Sequence, residues 1–162
     1  MAKEWDHIAD HLAAFARAQP LFFIATADPA GGDVNLSPKG LDALRVLGPH
    51  EAVYADFHGS GNQTAKHLAA GGKGTLLFVS FGEKPLILRF YVTGRVVAPG
   101  SDDFTRLMGG TFADLPHADR VRQLFLFDVY RVQTSCGYGA PMMTLVGDRR
   151  EEKYFGELLG EE

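Results

Sequence analysis

Apolar and polar positions along this chain follow two periods. Trp5, Ile8, Leu12 and Phe15 fall at i, i+3, i+7 and i+10, with Ala9, Ala13 and Ala16 beside them. That spacing predicts an amphipathic helix within residues 1–19, stopped by Pro20. Beyond it the period shortens to two. LFFIATA (21–27) is an apolar run closed by the turn DPAGG, and DVNLS (33–37) follows as a second strand, so 21–37 reads as a hairpin. Asp33, Asn35 and Ser37 share one face of that strand and Val34 and Leu36 the other, and the polar row runs into Pro38, Lys39 and Gly40. ALRVL (43–47) and AVYADF (52–57) are two further strands, TLLFVSF (75–81) a buried one, and LFLFDVYRVQT (124–134) the last. LILRFYVTGRVV (86–97) is a long strand with Leu88, Phe90, Val92 and Val96 on one face and Arg89, Tyr91, Thr93 and Arg95 on the other.

Helical spacing returns only in short pieces. Residues 62–70 form one, between two glycine clusters, with Ser60 or Asn62 as N-cap. Others are expected over 101–109 and 118–124, and 146–162 is a C-terminal helix or tail. Six or seven strands, few helices and no regular strand–helix alternation predict a mainly β, antiparallel barrel. The 162 residues suit one domain spanning 1–162.

Composition narrows the function. The chain is 46% apolar and 22% charged, as in an ordinary globular domain. A net charge of −4 argues against a global electrostatic grip on nucleic acid. No stretch approaches the roughly 20 apolar residues of a membrane helix, and MAKEWDHIADHL has no apolar signal core. Cys136 is the single cysteine, which excludes an intramolecular disulfide and fits a reducing, cytoplasmic setting.

Few residues carry recognisable chemistry. GSGNQTAK (59–66) lacks the Gly-Lys-Ser/Thr of a Walker A loop, and Thr64 stands where a G-x-G-x-x-G fingerprint needs glycine. A glycine-rich turn entering a helix still offers free backbone N–H groups to an anion, with Asn62, Gln63 and Thr64 adding side-chain donors; a plain capped helix start explains the same residues. His7 and His11 stand four apart but without the glutamate or third ligand of a zinc site, so no metal is expected. His58 is placed to touch a ligand, whereas His67 is expected on the surface of the short helix. Cys136 is either a nucleophile or a small apolar filler. Arg89 either needs an anionic or carbonyl partner or lies on a solvated strand face. No G-x-S-x-G elbow is present.

NLSPKG, VYADF, GNQTAKHL, LILRFYVTGRV and QTSCGYGAP, in this order over residues 5–145, resemble the pyridoxamine 5'-phosphate oxidase-like flavoproteins. The resemblance implies an FMN-binding split β-barrel, and a homodimer with FMN at the subunit interface. It places Lys39 on FMN, with Asn35 and Ser37 on the same polar row. The turn carrying Asn62, Gln63 and Thr64 would contact the phosphate, although the oxidases have Arg and Lys where Gln63 and Thr64 stand. Phe57 and His58 match a Tyr-Thr pair flanking the cofactor, and Arg89 matches a glutamine that bonds the flavin ring. The helix and C-terminal motifs that bind pyridoxal phosphate in the oxidases are not reproduced, so a different small-molecule substrate is implied, with Cys136 and Tyr138 on its side of the flavin. The implied activity is FMN-dependent hydride transfer. The alternatives are a non-catalytic flavin- or haem-binding protein, with His58 or His67 as axial ligand, and use of the deazaflavin F420.

Overall fold

The computed structural model describes residues 2–148; of the helix or tail expected over 146–162, everything from residue 149 lies outside the described residues. The first apolar stretch divides in two. Lys3–Trp5 is a short strand, β1, and the helix α1 spans only Asp10–Arg17, so the expectation of one helix through residues 1–19 is corrected. The reason is non-local. β1 pairs with the distant strand residues 132–134, with Trp5 opposite Val132, and the Gln133 amide donates to Glu4 Oε1 at 2.8 Å. Ile8 is buried ahead of the helix, its N–H donating to the Pro49 carbonyl at 2.7 Å.

The hairpin forms as the alternation predicts, from β2 (Phe22–Ala27) and β3 (Val34–Lys39). β3 continues through Pro38 to Lys39, and it lies at one end of the sheet, where a proline leaves no ladder bond unmade. Next come β4 (Leu44–Gly48), β5 (Glu51–Phe57), the helix α2 (Gln63–Ala69), β6 (Gly74–Val79), β7 (Ile87–Val97) and the helix α3 (Asp102–Gly109). A single 3-10 turn, Ala118–Arg120, replaces the helical piece expected over 118–124, and β8 runs from Val121 to Ser135. The eight strands form one antiparallel sheet in the order β3-β2-β6-β7-β8-β5-β4, with β1 against β8. Among the described residues that is one strand more than the seven stretches read as strands in the sequence, the addition being β1. The fold is therefore mainly β and antiparallel, as the pattern predicts, and of the split-barrel class that the resemblance implies.

Inward-facing aromatic rings fill the core. Phe78 and Phe90 lie 5.0 Å apart between centroids, Tyr54 and Phe125 5.5 Å, and Phe22 meets Tyr54 edge-on at 5.6 Å. In β7 the alternation holds for Leu88, Phe90 and Val92 and then slips, so that Val97, not Val96, is the buried residue. The register of β7 against β8 shifts between Tyr91 and Val92. At Gly94 a Cβ would stand 2.6 Å from the Leu126 carbonyl and 2.8 Å from the Phe127 ring, and only glycine lets β7 approach β8 so closely there. Among the described residues, no helix is long and apolar enough to cross a membrane.

Candidate functional site

β3 sets one side of a cleft of about 520 Å³ at the edge of the barrel. Its polar row, Asn35, Ser37 and Lys39, lines the cleft and is half-buried, while Val34 and Leu36 point outward at 68% and 64% exposure. The period-2 reading of this strand holds, but it is the polar face that turns inward. Asn35 Nδ2 donates to Thr64 Oγ1 at 3.2 Å and so ties β3 to the first turn of α2. Ser37 Oγ donates to Asn35 Oδ1 at 3.4 Å.

Phe57 at the end of β5, His58 in the loop after it, and Asn62, Gln63 and Thr64 around the start of α2 also line the cleft. Eight of the nine residues singled out for cofactor contact are thus brought together. Asn62 is the N-cap by position, but its side chain does not cap; its Oδ1 accepts from Gln123 Nε2 at 2.8 Å. α2 has only seven residues, so the glycine-rich loop, rather than a helix end, supplies what backbone donors the cleft has. Arg89, Cys136 and Tyr138 do not line this cleft. Arg89 donates to Ser135 Oγ at 3.0 Å on the face of β7 that points away from the core; Cys136 is exposed, and Tyr138 is 84% exposed. His67 is not on the surface as expected. It is buried, with Nδ1 3.0 Å from Thr26 Oγ1, because α2 packs that face against β2.

A buried carboxylate outside the candidate residues of the sequence analysis also lines the cleft. Asp56, only 2% exposed, is held by four groups. The Tyr54 hydroxyl donates to it at 2.7 Å, and Arg122 Nε and Gln123 Nε2 each donate to Oδ2 at 2.8 Å. The Lys39 ammonium stands 3.8 Å from Oδ1. Three hydrogen-bond donors and a nearby ammonium satisfy a carboxylate that burial would otherwise heavily destabilise. Arg122 reaches further, its Nη1 donating to the Gly59 carbonyl at 3.0 Å and its Nη2 to the Gly61 carbonyl. One signal was present in the sequence: an aspartate within the otherwise apolar run AVYADF, two residues after a tyrosine on the same face.

Burial holds the Lys39 ammonium below the usual lysine pKa; Asp56 partly offsets this, and the nearby Arg122 charge adds to it. Lys39 and Arg122 against Asp56 leave the cleft one net positive charge. With hydroxyl and amide donors on two sides, such a cleft suits the anionic end of a small polar molecule, and its volume lies in the range of small-ligand sites. Among the described residues, no group of three or more His, Cys, Asp or Glu could hold a metal ion.

Known proteins share this arrangement of strands. In structure, the chain matches the Group A Streptococcus protein HupZ with a TM-score of 0.62 at 20% identity, covering 79% of this chain and 99% of that one. A Lactobacillus delbrueckii protein whose name refers to pyridoxamine 5'-phosphate oxidase matches with the same TM-score at 16% identity, covering 79% of this chain and 94% of that one. At these identities the likeness is one of fold. In sequence, the pyridoxamine 5'-phosphate oxidase family protein ustO of Aspergillus flavus is 35% identical over 149 residues, 89% of this chain. The chain spans 58% of the length of that relative. The family model described as pyridoxamine 5'-phosphate oxidase matches residues 8–136, a span from just before α1 to just past β8 that takes in every residue of the cleft, and on this ground the chain belongs to the pyridoxamine 5'-phosphate oxidase family.

Proposed function

We propose that the protein is an FMN-dependent oxidoreductase, with the phosphate of FMN in the cleft between β3 and the 58–64 segment. One observation carries this reading: the edge strand turns its polar row and Lys39 inward, toward a glycine-rich loop, and leaves its apolar residues outside. Lys39, Ser37, Asn35 and the turn at Asn62–Thr64 would hold the phosphate and the ribityl chain, and Phe57 and His58 would flank them. When bound, a flavin supplies hydride acceptance at N5; the protein supplies binding, orientation and exclusion of water.

The working unit in this proposal is a homodimer. Val34 and Leu36 lie on the outer face of an edge strand, and a second copy seated there would remove them from water. Arg89, Cys136 and Tyr138, which stand outside the cleft of a single chain, are assigned to the ring and substrate side of the assembled site. Arg89 near the ring would favour negative charge on it. Haem is the less favoured ligand, because His67, one of its two candidate axial residues, is buried against Thr26.

The test is an anaerobic absorbance titration of purified protein with FMN, followed by NADH or NADPH. A saturable change in the flavin bands and bleaching by the nicotinamide support the proposal. Binding without bleaching by either donor leaves a flavin carrier rather than an oxidoreductase. Protein that ignores FMN refutes it, and binding of F420 by that protein would move the assignment to the deazaflavin.

A further inference from the structure

Arg122 lines the cleft, yet each of its three guanidinium nitrogens is already engaged: Nε by Asp56, Nη1 by the Gly59 carbonyl and Nη2 by the Gly61 carbonyl. With three of its five N–H groups so committed, the guanidinium acts on the cleft chiefly through what it holds. A trans peptide is planar, with its C=O and the following N–H pointing in opposite directions. Fixing the Gly59 and Gly61 carbonyls on Arg122 therefore turns the Ser60 and Asn62 N–H groups away from the guanidinium. The chain has no cis peptide to break this rule among the described residues. Neither of those two amides donates a hydrogen bond within the described residues, and both residues line the cleft. Asp56 fixes the guanidinium in turn. It is buried and locked by Tyr54 and Gln123, so the fork cannot swing to another partner.

We propose that Asp56 and Arg122 act as a positioning pair: through the Gly59 and Gly61 carbonyls they hold the Ser60 and Asn62 N–H groups as preorganised donors to a ligand phosphate. This rests on the reading that the cleft takes the phosphate of a flavin, and it adds the residues that set selectivity for the phosphorylated form. Lysine at position 122 would keep the positive charge but could not span two carbonyls and a carboxylate with a planar fork.

FMN and riboflavin, which differ only in the phosphate, are titrated in parallel into wild type, Arg122→Lys and Asp56→Asn, with thermal unfolding of each variant recorded. Wild type is expected to bind FMN more tightly than riboflavin. Arg122→Lys is expected to weaken FMN tenfold or more while riboflavin stays within twofold, and Asp56→Asn should act in the same direction. Equal loss for both ligands would show a merely structural role and overturn the inference, as would unchanged FMN binding by a folded Arg122→Lys. Wild type that fails to prefer FMN overturns instead the phosphate reading on which the inference stands. Should Asp56→Asn not fold, Arg122→Lys decides alone, since it retains the charge beside Asp56.

Discussion

Replacing Lys39 with methionine separates ligand binding from folding. Lys39 Nζ stands over the Tyr54 ring, 5.6 Å from its centroid, and methionine, unbranched and of similar length, fills most of the same space. The charge lost is one of four groups holding Asp56, and at 3.8 Å the longest of the four contacts. Arg122, Tyr54 and Gln123 remain, so the carboxylate is not orphaned. The ammonium is itself penalised by burial, so its removal also lifts a desolvation cost. Folding stability should therefore change by no more than about 1 kcal/mol. Binding is different. A phosphate would lose the cation of the polar row and a charge-assisted hydrogen bond of about 1.5–3 kcal/mol. That corresponds to a roughly 10- to 150-fold rise in Kd for FMN. The assay pairs an FMN titration with urea unfolding of the ligand-free protein. A variant that binds FMN within twofold of wild type would sink the assignment of Lys39, and so would one that loses several kcal/mol of stability, since Lys39 would then be a structural cation.

The charged form of Lys39 is the one that attracts an anion, and its pKa is held down by burial. The preference for FMN over riboflavin should therefore decline at a lower pH than an ordinary lysine would give; the ratio of the two Kd values measured from pH 7 upward checks this. In the ligand-free protein the same depression penalises folding while Lys39 is charged in both the folded and unfolded chain. That penalty is relieved as pH rises from the folded-state pKa toward the ordinary lysine value of 10.5, so this group contributes a rise in stability with pH, and Lys39→Met should flatten it in urea unfolding across that window. Gly94→Ala should cost about 1–3 kcal/mol in urea unfolding, because the new Cβ meets the Leu126 carbonyl at 2.6 Å; a cost near zero would show that β7 and β8 separate freely there. Leu36→Glu, on the outer face of β3, should convert a dimer to a folded monomer in sedimentation velocity, and an unchanged dimer would place the subunit contact elsewhere.

The legible parts of the fold were those governed by local period. Seven strands lie close to where the alternation puts them, because each buries a face whose residues are neighbours in sequence. The pattern failed where a distant partner decided the outcome. Lys3–Trp5 is a strand only because residues 132–134 of β8 are free to pair with it. Val121–Gln123 extend β8 because Phe57 stands opposite Val121 and Asp56 opposite Gln123. The polar row of DVNLSPKG was readable, but the burial of its polar side depends on a loop more than twenty residues away. Arg122 and Asp56 are 66 positions apart, and no spacing rule connects them. His67 was misplaced for the same reason, since Thr26, which bonds it, is 41 residues upstream.

Exposed glycine-rich loops are ordinarily where a chain tolerates insertions and deletions most easily. The loop from Gly59 to Gly61 is denied that freedom. The two arms of one side chain measure the distance between alternate carbonyls, and a residue added or removed between them would rotate one carbonyl out of reach. Side chains in this stretch can vary while its length cannot, so the guanidinium serves as a ruler for the backbone beneath it.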